Sequence, residues 1–368
     1  MPEPSKKKAK HKRIISGSEA IREGLIEAAK KNKNVICQAE GVSDPTLVYG
    51  TTKKLNKIFK KKRIIEMPLS ENALTGAAIG ASLFGKRPVI SMHRVEFALL
   101  ALEQIINNAA KAHYISMGKH SVPIVIRLIV GRGWGQGPEH SQSLENLFAL
   151  IPGLKVLTPT FPSDAKGMII SAVEDNNPVI FIEHRWCHYI KGEVPNKYYK
   201  SQINAPKKII KGDDITIVAN SITVIDCLFV SKILNKYGIG IDLFDLRVCR
   251  PLSLDEIKKS IKKTGKLMTI DLGSKVLGIG SEIVSEVISS CFNYLSHAPV
   301  RIGMPDHPTP SSRGYLKSHY PNKKKIIQEL SNFFADIKKN YKSIMRELEK
   351  ENKKLPIDIP DPSFKGPF

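Results

Sequence analysis

The sequence contains no run of 18 or more apolar residues, so it lacks a segment able to cross a bilayer as a helix. Cysteine is scarce: Cys37, Cys187, Cys227, Cys249 and Cys291 are scattered, odd in number and never in a CxxC pair. That argues against a disulfide framework and against a structural zinc site. Acid is in deficit, with 35 Asp and Glu against 57 Lys and Arg, giving a formal net charge of +22. The basic opening, MPEPSKKKAKHKR, lacks the apolar stretch of a secretory signal. The expectation is a cytoplasmic protein with free thiols and no membrane partner.

A charge of +22 suggests nucleic acid, but its distribution weighs against that partner. Residues 1–13 hold six Lys or Arg and one Glu, and residues 323–368 hold eleven against seven acids. The rest of the excess is dispersed, without interleaved aromatic and basic residues or a nucleic-acid-binding signature. With 42% hydrophobic residues the chain can bury a real core, and 368 residues suggest two domains.

From residue 14 to about 200, short β-branched runs alternate with helical stretches: NVICQAE, RPVISM, VPIVIRLIVG, LKVLTPT and NPVIFIEH. Runs apolar on both faces predict a parallel sheet covered on both sides. The segment VPNKYYKSQINAPKK reads as a linker, and a second series follows with DITIVAN, IGIDLFDLRV, KLMTIDL and APVRIGM. The predicted fold class is α/β in two domains. The expected boundaries are a disordered basic arm over 1–13, a first domain over 14–200, a second over 201–325, and a helical extension with a tail over 326–368.

Four stretches could carry chemistry. Glu71 opens a predicted helix containing Ala73, Gly76, Ala77, Gly80 and Ala81. An acid in a first helical turn is favoured by the helix dipole, but a carboxylate in an apolar wall is costly unless paired or used. The segment 91–114 reads as a strand end leading into a long helix, in which Glu103 looks costly among apolar residues such as Phe97 and Ile105. VGRGWGQGPEHSQS places glycines at 131, 133, 135 and 137 before His140. Its spacing fits neither a dinucleotide fingerprint nor a Walker loop. Such glycines let backbone approach a ligand, and a following histidine is poised for proton transfer. AVEDNNPVI is compatible with a plain Asp/Asn turn.

Together, KRIIEMPLSENALTGAAIGASLFGKRPVI, EQIINNAAKAHYISMG, PEHSQSLENLFALIPGLKVLTP and DAKGMIISAVEDNNPVIFIE resemble the β subunit of thiamine-diphosphate-dependent 2-oxo acid dehydrogenases, in the transketolase superfamily. DLRVCRPLSLDEI and MPDHPTPSS resemble the family's second domain. The resemblance implies a parallel-sheet pyrimidine-binding thiamine-diphosphate fold followed by a transketolase C-terminal-like α/β domain. It implies that Glu71 bonds the cofactor's aminopyrimidine and promotes the tautomer that deprotonates the thiazolium. Phe97 then stacks on the pyrimidine, and His140 faces the substrate. Glu40 and Glu103 match acids between two cofactor sites. Ile124, Ala172, Val173, Asp175 and Asn177 match a structural potassium site. Arg94 stands where many relatives carry an uncharged residue, and Trp134 lies in the loop before His140.

The family's GDG and following Asn, which hold Mg²⁺ and the diphosphate, have no counterpart here. The resemblance therefore implies an α subunit carrying that motif, a β–β contact and a two-plus-two heterotetramer. The implied reaction decarboxylates a 2-oxo acid of pyruvate or branched-chain type and passes the acyl or aldehyde fragment on, in the usual complexes to a lipoyl acyltransferase component. Two alternatives stay open: a carboligating, transketolase-like subunit of a biosynthetic pathway, and a non-catalytic basic scaffold.

Overall fold

A computed structural model describes residues 13–42, 48–59, 63–132 and 135–351. Two sheets dominate. The first takes β2 (Val35–Ala39), β3 (Ile64–Glu66), β4 (Arg87–Met92), β5 (Val125–Val130), β6 (Lys155–Leu157), β7 (Val179–His184) and β12 (Val248–Arg250) in the order β12-β6-β7-β5-β4-β2-β3. Every pairing in it is parallel except that of β12 with β6. The second, in the order β14-β13-β10-β11-β9, is built from β9 (Lys207–Ile210), β10 (Ile215–Ala219), β11 (Ile241–Asp245), β13 (Leu267–Ser274) and β14 (Val300–Met304). Only β9 runs antiparallel to its neighbour. A small antiparallel ribbon pairs β1 (Ile14–Ser16) with β8 (Lys191–Glu193).

The central strands are buried on both faces, as their continuous apolar runs require, because helices cover each side. The helix Gly17–Lys31 starts from a capping box in which Ser16 and Glu19 satisfy each other's backbone amides. It lies so close to the helix Pro162–Glu174 that a Cβ at Gly24 would meet Ile169 Cγ2 at 2.3 Å. All five cysteines are free and buried. Among the described residues no helix is long and apolar enough to cross a membrane.

Three expectations need correcting. The predicted long helix over 91–114 is instead a 3₁₀ stretch over Val95–Ala101, a wide i→i+5 turn over Gln104–Ala109 and a short helix Ala112–Ile115. The reason is visible in the spacing: Val95, Ala98 and Ala101 recur every three residues and are all fully buried, which three residues per turn keep on one face. Next, β12 lies beyond the predicted linker yet completes the first sheet. Third, the helix Ala335–Glu351 is no mere appendage. Ile337, Ile344 and Leu348 are buried in the second sheet's core with Ile326, Ile327 and Leu330 of the preceding helix Lys323–Leu330. Residues 1–12 and 352–368 lie outside the described residues.

Under the first sheet's carboxyl edge sits a buried ion-pair network. Arg127, with no exposed surface, donates from Nε and Nη2 to the two oxygens of Glu183 at 2.6 and 2.9 Å. It also donates to the Ser91 and Thr51 hydroxyls, both at 2.8 Å, while His188 Nε2 lies 2.9 Å from Glu183. Removing one partner leaves the other charge buried, so Arg127→Met is expected to cost about 3–5 kcal/mol in urea unfolding. The double variant Arg127→Met/Glu183→Leu should recover most of that loss. An Arg127→Met chain as stable as the wild type would show that the network is energetically neutral.

Candidate active site

In a parallel sheet all carboxyl ends face one way, and ligands bind in the crevice outside them. This edge collects the candidate residues from separate parts of the chain. Glu40 follows β2, Glu71 opens the helix Glu71–Leu83 after β3, Phe97 lies in the 3₁₀ stretch after β4, and the loop bearing His140 follows β5.

Glu71 is 8% exposed and Glu40 only 3%. Burial, and then the neighbouring Glu71 carboxylate, push the Glu40 carboxyl up to about 7. Glu40 Oε1 has no hydrogen-bond partner among the described residues. Two carboxyl groups thus share one wall, an arrangement suited to holding a proton between them. Nearby, the Phe97 and His140 rings meet edge to face with centroids 5.7 Å apart. His140 Nδ1 is buried and has no hydrogen-bond partner among the described residues. Buried acids, a half-buried aromatic face and unsatisfied polar atoms fit an aromatic, hydrogen-bonding ring. They therefore fit the pyrimidine end of a thiamine cofactor.

Glu103 departs from expectation. It is exposed, and its carboxylate accepts from Gln104 Nε2 at 2.6 Å and Asn108 Nδ2 at 3.2 Å. Its charge therefore carries no burial cost in this chain. Gln104 also reaches Asn72, beside Glu71, at 3.5 Å, so Glu103 lies one side chain away from the site's rim.

The five cation-site positions do converge, but at the opposite, amino edge of the sheet. The Ile124 carbonyl accepts from Val179 N at 2.9 Å, and that of Ala172 from Asp175 N at 3.3 Å. The carbonyls of Val173 and Asp175 accept from Arg87 Nη1 at 2.9 and 2.8 Å. Asn177 donates twice to Asp175 Oδ1 at 2.8 Å, and Lys155 pairs with Oδ2. Burial works to raise Asp175, but Lys155 and Asn177 outweigh it and hold the carboxyl below its usual range. Each carbonyl retains a second lone pair, so the oxygen set fits a hard monovalent cation, with a guanidinium already on two members.

Several residues that line this edge were not singled out by sequence. Glu96 is 9% exposed and accepts from Gln142 N at 2.7 Å through Oε1, while Oε2 has no partner among the described residues. Burial raises its pKa, with His140 and Arg94 among the groups opposing the rise. Two arginines are also among them, Arg132 after β5 and Arg185 after β7, and they join Arg94, which sequence does single out, after the adjacent strand β4. The guanidinium of Arg132 lies 4.1 Å from the Trp186 ring centre and 4.8 Å from that of Tyr320, which belongs to the second domain. The glycine loop meets that domain as well. Gly137 has φ +62°, and a Cβ there would stand 2.3 Å from Ser311 Oγ. The MPDHPTPSS segment thus helps to hold the loop that carries His140. Trp134 lies outside the described residues.

Comparison with known proteins identifies the family of both domains. Residues 14–187 match the family profile for the transketolase pyrimidine-binding domain, and residues 206–326 that for the transketolase C-terminal domain. The mitochondrial pyruvate dehydrogenase E1 component subunit β of Bos taurus is 35% identical over 318 residues, covering 85% of this chain and 89% of that one. The acetoin:2,6-dichlorophenolindophenol oxidoreductase subunit β of Bacillus subtilis is 35% identical over 327 residues, covering 86% and 96%. A solved split-gene transketolase, described as an inactive β4 tetramer, superposes with a TM-score of 0.71 at 22% identity, over 87% of this chain and 98% of that one. It shares the fold.

Proposed function

This chain belongs to the transketolase-type family of E1 β subunits, and from that premise we propose that it is the pyrimidine-activating half of a thiamine-diphosphate-dependent enzyme acting on a 2-oxo acid. The observation that carries the proposal is the pair Glu40 and Glu71, two buried, electrostatically coupled acids at the sheet's carboxyl edge, the edge to which the contacting rings of Phe97 and His140 also belong.

When bound, thiamine diphosphate supplies a nucleophilic carbon able to attack a 2-oxo group. Glu71 would hold the cofactor's pyrimidine by a charge-assisted hydrogen bond, strengthened by its desolvated setting. Phe97 would cover that ring and exclude water. His140, whose buried Nδ1 has no partner among the described residues, would hold or deliver a proton on the substrate side. Glu40, displaced to about 7, is half protonated near neutrality and suited to relay a proton from Glu71. Glu103 would extend that relay toward the second site of an assembled complex. Potassium held by the carbonyls of Ile124, Ala172, Val173, Asp175 and Asn177 would brace the amino edge.

The chain carries no GDG. A diphosphate needs Mg²⁺ or helix N-termini to neutralise it. The proposal therefore includes an α-type partner that grips the phosphates and Mg²⁺, in a heterotetramer. The test is calorimetric. The isolated chain is expected to bind thiamine diphosphate with Mg²⁺ at least about 100-fold more weakly than the reconstituted complex does, a difference of roughly 2.7 kcal/mol. Tight binding by this subunit alone would contradict the divided site. Screening pyruvate and branched-chain 2-oxo acids with an artificial electron acceptor, or with aldehydes, then identifies donor and acceptor.

A further inference from the structure

Gly131, Gly135 and Gly137 precede His140 in its loop, and glycine by itself fixes a backbone poorly. On the far side of the histidine the loop is tied to two buried acids from different elements. Gln142 N donates to Glu96 Oε1 at 2.7 Å, a link within the first domain. One residue later, Ser143 Oγ donates to Glu145 Oε2, also at 2.7 Å. Glu145 opens the short helix Glu145–Ala149 and is 2% exposed.

The other oxygen of Glu145 faces the second domain. Oε1 accepts from Gly273 N, in β13, at 3.1 Å, and from Asn220 Nδ2, just after β10, at 3.4 Å. Asn220 is held in turn, because its Oδ1 accepts from Leu272 N at 3.1 Å. The two domains approach so closely here that a Cβ on Gly273 would stand 2.9 Å from the Ser143 carbonyl oxygen and 3.2 Å from Glu145 Oε1. Beside this contact, Asn146 Nδ2 donates to the Leu277 carbonyl at 3.1 Å.

A buried carboxylate is costly, and three donors drawn from two domains offset that cost. A residue that only joined the domains would need the donors of Gly273 and Asn220 alone. Glu145 also holds Ser143, three residues from His140, so a displacement of β13 is passed to the histidine loop. Misplacing a catalytic group by about 1 Å can cost about 100-fold in rate.

We propose that Glu145 is a positioning residue through which the second domain fixes the loop that carries His140. This rests on the role of His140 proposed above and deepens it. Proton handling at the first sheet's edge then depends on the seating of a strand in the other domain.

The first test needs no turnover. Amide hydrogen exchange is followed by mass spectrometry in the full chain, in peptides spanning residues 140–146, with β5 as the gauge of global unfolding. Exchange in the loop is expected to be at least about tenfold faster in Glu145→Ala and in Gly273→Ala, with β5 unchanged. Gly273→Ala keeps the carboxylate and presses a methyl group on Ser143 from the second domain's side. Glu145→Gln can still accept from Gly273 N and can donate to Ser143 Oγ, so it should exchange at least about threefold more slowly than Glu145→Ala. Unchanged loop exchange in both alanine variants overturns the link.

The second test uses the reconstituted complex, with pyruvate and an artificial electron acceptor, at a temperature well below every variant's unfolding midpoint. Glu145→Ala and Gly273→Ala should each lower kcat by about 100-fold, with KM for pyruvate changed less than about threefold, and Glu145→Gln should recover about tenfold of that loss. A lowered unfolding midpoint with wild-type kcat would assign Glu145 to domain packing alone and overturn the proposal. A glutamine variant as slow as the alanine one would overturn it too, since the hydrogen bonds would then not be what matters. A wild-type complex with no thiamine-dependent turnover would sink the reading of His140, and the exchange rates would still decide whether the second domain holds the loop.

Discussion

Glu71→Gln, assayed in the complex with the partner subunit, is expected to lower kcat by about 10³-fold. Its unfolding midpoint should stay within about 1 °C of the wild type. Glutamine keeps the size and hydrogen-bonding shape of the side chain but cannot ionise. Any effect on turnover therefore reports the carboxylate's charge rather than its packing. The substitution removes a first-turn acid, a small loss of helix stability, and also relieves the crowding of two buried carboxyls. Burial is the largest cause of the raised Glu40 pKa, and the Glu71 carboxylate is the next. In the variant Glu40 should fall back toward its usual range, and a step near pH 7 in the pH–rate profile should move to lower pH. Near-wild-type turnover would refute the activating role. Lost turnover with an unmoved pH profile would mean that Glu71 acts without coupling to Glu40.

Cutting the chain after residue 334 is expected to unfold the second domain. That cut removes Ile337, Ile344 and Leu348, which are 0%, 0% and 3% exposed, from the core around β10, β11 and β13. It also removes Glu347, which accepts from the Tyr237 hydroxyl at 2.9 Å and pairs with Lys236. Each buried aliphatic truncated to Ala costs about 2–5 kcal/mol, and a whole domain is stable by only about 5–15 kcal/mol. A cut at residue 340 still deletes Ile344 and Leu348 and should be nearly as damaging. The milder Ile344→Ala gives the same information in a chain that folds, with an expected loss of about 2–5 kcal/mol in urea. Because Ser311 and Tyr320 of this domain press on the loop that carries His140, turnover should fall together with stability. A truncated chain with unchanged midpoint and activity would show that the helix is peripheral.

The local pattern was legible. Runs such as VPIVIRLIVG and NPVIFIEH carry their both-faces burial in their composition, and they became β5 and β7. The acid opening a helix of small residues at Glu71, and the glycine loop ahead of His140, could also be placed by eye. Glu103 could not. An apolar neighbourhood in sequence says nothing about which side of an irregular helix faces water, and the three-residue spacing of Val95, Ala98 and Ala101 turned that acid outward. Arg94 was singled out from sequence, whereas Arg132 and Arg185, just past the ends of β5 and β7, were a signal only for a reader who already had the strand ends.

What the sequence determined alone is whatever lies within one window of chain. It set the both-faces-apolar strands of the two sheets, the absence of a GDG, and the joint spacing of Glu71, Phe97 and His140 that carries the family likeness. The tertiary structure decided what meets what. Strand order here is not chain order, so β12 crosses to the first sheet, the last helix enters the second core, and Arg94 and Arg185, 91 positions apart in sequence, share Tyr49. Periodicity is a short-range property of the chain. Burial and charge proximity depend on packing between distant segments, and no local pattern contains them.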